Sequence, residues 1–513
     1  MEELSLTRES PEKETLLSLT QDTVTPHEVS EEFSLPDYVP EIRKLLCTRA
    51  GVLPESKYVN DAGGRGSLEY SGTVTYLLIY TNDEGELCSL PLNSVYEATT
   101  PLNDSPSQVY IDTSVDSVTA RVIAPRKISL KTRLKSKITA WSILDTEERI
   151  DNKSSADELF IERQIDTVPV LSQKQISLSD IRVSDKLDMQ GMKSPTPLWC
   201  DAFITVTDAT PQTNSVSVRG NIRVKCICTN GTETVALSKT VPLAEEVTAE
   251  GALPTDKARI NPRCVSLTIS NEQNDEAGQL FFDLACELEG EITRNTDYRL
   301  VRDCYSTKYE TDEEYKTIDV YKSARAQSSS FSINESIKRK SKDMEEIIDV
   351  ICDPVYEKTD FKSGHTLLCG KLCLTVIGKS HGENGDEYMS ESYELPFKYA
   401  LDVGKGDGDY ISRCDIHTDE VMARFDGDKL CVSVQIYPSL EIIERTRQKI
   451  LSSSIQKKDK EFKKDASCVR IYFPKDGDTL WEIAKKYHTT EGKLKEQNDI
   501  STDSMESVKS LII

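Results

Sequence analysis

Three glycine-centred strands, set at nearly constant intervals, constrain this chain more than any other feature. LEYSGTVTYLLIY at 68–80, VSVRGNIRVKCIC at 216–228 and LLCGKLCLTVIG at 367–378 alternate apolar and polar residues around Gly72, Gly220 and Gly370. These glycines stand 148 and 150 residues apart, so the chain carries a long internal repeat. Alternation with period two is the pattern of a strand with one dry face. A polar turn follows each strand (TNDEG, TNGTE, KSHGENGDE), then a second strand bearing Pro91, Pro242 or Pro396. Proline cannot donate to a ladder, so each pair predicts a hairpin whose second strand lies at or near a sheet edge. A further pair of alternating runs closes each unit, for example VTARV with ISLKTRLKSKITAW and VMARF with LCVSVQIYPSLEII. The expected fold class is mainly β, with three tandem β-sandwiches or open barrels. A cysteine precedes each glycine (Cys47, Cys200, Cys352), and helical pattern is sparse, VPEIRKLLC near Ile42 and DMEEIIDVIC near Ile347 being the best candidates.

The final 45 residues behave differently. Apolar spacing switches from period two to 3.6 and back, which predicts a strand, two small helices and a closing strand. Leu480, Ile483, Ala484 and Tyr487 form one helix face, with Asp478 or Thr479 as its cap; Thr489 or Thr490 caps the second helix, whose Leu494 points inward. The partition expected from these patterns is an acidic, disordered tail over 1–32, repeats over 33–150, 160–297 and 305–446, a charged linker over 447–467, and the βααβ module over 468–513. SSSIQKKDKEFKKDAS makes that linker a mobile tether with almost no apolar content.

Composition narrows the class of function. A net charge of −24 opposes tracking along nucleic-acid phosphates. The first thirty residues, with MEELSLTRESPEKETLL, offer no apolar signal-peptide core, and no run approaches the length of a membrane span. Fourteen cysteines scattered singly, without CxxC pairs, fit reduced thiols. A cytoplasmic protein is therefore expected.

The terminal module resembles LysM, a small domain best known for binding N-acetylglucosamine polymers; GDTLWEIAKKY and the Asn498–Asp499 pair fall where that family's pattern wants them. Three β-repeats followed by one LysM resemble the spore coat morphogenetic family built from SPOCS domains. LPDYVPEIRKLL, the Gly72 strand and the ELPF of 394–397 carry that resemblance, whereas the second repeat has VPLAEE in place of ELPF. What the resemblance implies is a scaffold in the mother-cell cytoplasm that encases the forespore and joins the spore coat. Its implied partner is the coat basement-layer ATPase, stage IV sporulation protein A, contacted partly through the LysM unit.

Candidate site residues lie in two stretches of that unit. Asp476, Gly477, Asp478, Thr479 and Leu480 form the first turn, and Asn498, Asp499 and Ile500 the loop after the second helix; amides and small polar side chains there suit acetamido groups of a glycan, the alternative ligand. Trp481 sits one position off the apolar helix face and is expected to be partly exposed, with Lys485 beside it, as an aromatic anchor for a protein partner. Exposed sheet edges in the repeats suit self-association. Catalysis is not expected: five scattered histidines carry no nucleophile or zinc spacing, Cys414–His417 is an isolated CxxH, and the GKGDGD of 404–409 is not followed by a helix, so no metal or cofactor is expected either.

Overall fold

The computed structural model describes residues 15–60, 66–144, 149–150, 160–188, 195–230, 233–272, 279–327, 330–362, 365–382, 385–401, 408–463, 469–475, 477–500 and 508–513. Strands dominate. The first repeat holds β1 (Leu16–Ser34), β2 (Lys44–Asn60), β3 (Ser67–Thr81), β4 (Leu87–Pro101), β5 (Gln108–Ala124) and β6 (Lys127–Leu144). A short β7 (Arg149–Ile150) precedes the second, which holds β8 (Ile161–Lys186), β9 (Thr196–Gln212), β10 (Ser215–Thr229), β11 (Thr234–Thr248), β12 (Lys257–Glu272) and β13 (Gln279–Ser306). The third holds β14 (Tyr309–Gln327), β15 (Phe331–Lys338), β16 (Glu346–Lys362), β17 (His365–Gly382), β18 (Gly385–Leu401), β19 (Asp409–Thr418), β20 (Met422–Asp426) and β21 (Lys429–Glu461). The chain ends in β22 (Ile471–Tyr472), α1 (Leu480–Tyr487), α2 (Glu491–Asn498) and β23 (Leu511–Ile512).

Each repeat is a two-sheet antiparallel sandwich. One sheet is ordered β2-β3-β4, β9-β10-β11 or β16-β17-β18, with the glycine strand in the middle and the proline strand on the edge, as the sequence predicts. The other is β1-β6-β5 in the first repeat and β8-β13-β12 in the second; in the third, β21 pairs β14 and β15 in place of β1, and β19 and β20 in place of β5. Alternate residues of both sheets fill each core, such as Leu68, Val74 and Leu78 against Ile128, Leu134 and Ile138. The repeat glycines have a steric cause. A Cβ on Gly72, Gly220 or Gly370 would meet the backbone carbonyl oxygen of Leu53, Thr205 or Val355 at 2.4, 1.9 and 2.5 Å. The adjoining strand carries a β-bulge at Glu55, Thr207 and Glu357, which presses its backbone toward the glycine. Register shows that Cys47, Cys200 and Cys352 are not equivalent: they face Ile79, Cys226 and Leu374.

The three sandwiches close on one another. β4 abuts β9, β11 abuts β16, and β18 abuts β2, so the same two sheet edges meet at all three junctions. A second set of bulges, at Leu46, Leu198 and Ile348, turns apolar side chains toward a shared cluster in which Ile79, Ile227 and Ile377 also take part. Polar ties reinforce it: Arg49 pairs with both Asp201 and Asp353, while Trp199 Nε1 (2.9 Å) and Lys225 Nζ (2.5 Å) both donate to buried Asp349. The other sheets meet around Leu17, Trp141, Leu171, Tyr321 and Ile443. Next to them lies a buried ionic layer. Arg413 joins Glu291 (3.1 Å) to Glu441 (2.6 Å), and its guanidinium stands 4.8 Å from the Tyr110 ring. Burial and the neighbouring Glu291 carboxylate push Glu441 up to about 7.

Several expectations are corrected by these strands. Residues 15–32 are not a disordered tail: β1 runs beside β6 from Leu16↔Leu144 to Ser34↔Lys127, its Glu-rich residues wet because it is an edge strand. The linker expected over 447–467 is largely the end of β21, paired with β14 and buried at Ile450 and Leu451; residues 464–468 lie outside the described ones. β13 likewise passes the expected boundary at 297 and reaches Ser306. The two helix candidates near Ile42 and Ile347 lead directly into extended β2 and β16, where ladder pairing overrides local helical spacing. GKGDGD falls mostly on residues outside the description.

Candidate functional site

The terminal module is built as its pattern predicts. Thr479 caps α1 through a capping box, its hydroxyl accepting from the Glu482 N–H while Glu482 reaches back to the Thr479 N–H. Thr490 caps α2 by accepting from the Lys493 N–H. Leu480, Ile483, Ala484, Leu494 and Leu511 form its core, and β22 pairs with β23. Gly477 has φ 92°, a left-handed conformation that side chains disfavour, which places a glycine at this turn.

Leu480 and Ile500, one from each predicted stretch, pack in the same cluster, and the polar groups of both stretches are spent internally. Asp478 accepts from the Tyr472 hydroxyl (2.7 Å) and the Lys475 N–H (2.8 Å), and these bonds, the backbone one foremost, hold its carboxyl below the usual range. Asn498 donates to the carbonyls of Leu494 (2.8 Å) and Ile512 (2.9 Å) and accepts from the Ile512 N–H (2.6 Å). Asp499 is the left-handed C-cap of α2, and Ile500 packs against the module's core. Asp476 lies outside the described residues.

Trp481 departs from expectation: it is 7% exposed. Its ring meets the Tyr305 ring edge-on at 4.9 Å, and its indole N–H donates to Asp303 at 2.8 Å. Lys485 donates to the same carboxylate at 2.7 and 3.0 Å, Tyr315 at 2.6 Å, and the Tyr305 hydroxyl reaches the Thr489 carbonyl at 2.8 Å. Phe462 stacks on His488. The helix face that the sequence offers to a partner is thus docked on β13 and β14 of the chain's own body, and the module does not hang free. No local signal near Trp481 announces this, because Asp303 and Tyr305 sit in a strand of another repeat.

Burial alone would raise the Asp303 carboxyl, but the bonds from Lys485, Tyr315 and Trp481 prevail and hold it below its ordinary value of 3.8. A depressed acid contributes stability that is complete above the unfolded value and is lost as pH falls through the folded one. Docking of the module is therefore expected to survive from pH 7 to about pH 4 and to fail only in stronger acid, with Asp303→Asn weakening it throughout the range in which Asp303 is ionised. Hydrogen exchange of α1 against pH checks this.

Residues missed by the sequence reading lie on the opposite side. Val469, Ile471 and Phe473 alternate along and beside β22 with exposures of 77, 59 and 68%, a bare apolar row on a two-stranded sheet. Their signal was present in VRIYF, whose period-two spacing gives one apolar face.

Among the described residues no group of three or more His, Cys, Asp or Glu is placed to hold a metal ion, all thirteen described cysteines are free, and no helix is long and apolar enough to cross a membrane.

Strand, capped helix pair and closing strand define a small βααβ module at the end of a mostly β chain. Residues 475–513 match the LysM domain family. Comparison of the chain with curated proteins and with solved structures gave no match.

Proposed function

We propose that this chain is a non-enzymatic scaffold whose LysM module grips protein, in a spore coat morphogenetic role of the kind the SPOCS resemblance implies. In that role it acts in the mother-cell cytoplasm at the forespore surface and binds the coat basement-layer ATPase, stage IV sporulation protein A. One observation favours protein over glycan. The groove groups that would bond acetamido functions, those of Asp478, Thr479 and Asn498, are engaged in caps and strand ties, while Val469, Ile471 and Phe473 stand uncovered nearby. An apolar row beside a pairable edge suits a partner strand or apolar surface. Three sandwiches packed edge to edge also suit a scaffold.

The alternative, recognition of peptidoglycan or cortex glycan, is favoured by the LysM match itself. Co-purification separates the two. Full-length chain is expected to retain the ATPase, Ile471→Ser with Phe473→Ser to lose it, and purified peptidoglycan to capture neither form. Peptidoglycan pull-down that Thr479→Ala or Asn498→Ala abolishes would establish the glycan reading instead.

A further inference from the structure

Beside the Arg413 layer the three sandwiches frame an open chamber of about 480 Å³, within the range of small-molecule sites. Equivalent strands of all three repeats line it: β5, β12 and β19. Register aligns Tyr110, Arg259 and Arg413 opposite Thr139, Glu291 and Glu441, and two residues on it aligns Asp112, Asn261 and Asp415. The fold is repeated here but the chemistry is not, so this is no symmetric water channel.

The charges in the wall do not cancel evenly. Arg259 is held by Glu291 (3.2 Å) and Asp415, Arg263 by Glu287 (2.6 Å) and Glu289 (2.9 Å), and Arg413 by Glu291 and Glu441. Lys57 and Lys137 are different. Each donates to one backbone carbonyl, of Val109 (3.2 Å) and Ser412 (3.4 Å), and neither has a carboxylate at ion-pair distance among the described residues. Asp112, directly across the ladder from Lys137, accepts no hydrogen bond among the described residues. Its side chain is exposed to the chamber. Lys57 and Asp112 are open to the chamber, so a bound molecule that carries the opposite charge toward each can pair them.

We propose that the chamber binds a small organic anion carrying hydrogen-bond donors at its other end, of the amino-acid or hydroxy-acid class. Its carboxylate pairs with Lys57 and Lys137, and its amino or hydroxyl groups donate to Asp112. A bare dianion leaves the acceptors unmet and faces Asp112 with like charge. A diamine meets two unpaired ammonium groups.

Calorimetric titration of the full-length chain at pH 7.5 tests this with four probes: glutamate, gluconate, succinate and putrescine. Glutamate or gluconate is expected to bind, succinate to bind at least about tenfold more weakly and putrescine not at all, tenfold being the scale of one charge-assisted bond. Lys57→Gln and Lys137→Gln, made separately so that one folded variant suffices, are each expected to weaken binding about tenfold at unchanged melting temperature. Asp112→Asn is expected to erase the preference over succinate. Absence of binding by glutamate and gluconate at millimolar concentration, binding that survives both lysine variants, or equal binding of succinate or putrescine overturns the proposal. None of these outcomes depends on what the LysM module binds.

Discussion

Arg413→Met is expected to lower the unfolding free energy by about 3–5 kcal/mol at pH 7.5, because removing one member of a buried ionic cluster strands the charges left behind. Arg413, Glu291 and Glu441 are 8, 1 and 1% exposed, so water cannot replace the lost guanidinium. Glu441 already sits near pH 7, and without Arg413 its proton is held more tightly still. The loss is therefore expected to shrink at pH 5, where Glu441 is neutral in either protein, and Arg413→Met with Glu441→Gln is expected to recover part of it. Urea unfolding at the two pH values gives the comparison. Equal losses at both would mean that Arg413 acts by packing on Tyr110 and not by charge.

Trp481→Glu carries the second large expectation. It removes a side chain that fills the LysM core beside Leu480 and Ile483, covers Tyr305, and donates to Asp303, and it sets a second carboxylate against the first. Loss of a buried aromatic costs about 3–5 kcal/mol, more than two eight-residue helices and a two-residue sheet can spare. Amides of α1 and α2 are expected to exchange at open-chain rates while β3, β10 and β17 keep full protection, since their cores share no residue with the module. Trp481→Phe retains the ring against Tyr305 but loses the Asp303 bond, and is expected to loosen docking without unfolding the module. If Trp481→Glu removed partner binding with exchange unchanged, Trp481 would belong to the partner surface after all.

What the sequence discloses here is what is local. Alternation around Gly72, Gly220 and Gly370, prolines on edge strands, and caps at Thr479 and Thr490 depend on neighbours within a few residues, and all are found as expected. β1 and the end of β21 are hidden because edge strands are wet and charged, and VTPHEVSEEF or QKKDKE has the composition of a disordered segment. Trp481 misleads for another reason. A helical wheel ranks it against its own module's core, whereas its burial comes from Asp303 and Tyr305 in a distant strand. The chamber is equally illegible: Lys57, Asp112 and Lys137 become neighbours of Arg259 and Asp415 only when the second and third sandwiches meet the first.

Joining three sandwiches in one polypeptide has a consequence that three separate subunits would not share. A homotrimer places every axial residue in triplicate, so an arginine at the Arg413 position would put three guanidiniums face to face. The single chain instead sets Tyr110, Arg259 and Arg413 there, opposed by one threonine and two glutamates, and so replaces one of the three arginines that symmetry would impose. Because one peptide chain carries all three sandwiches, the arrangement does not come apart on dilution.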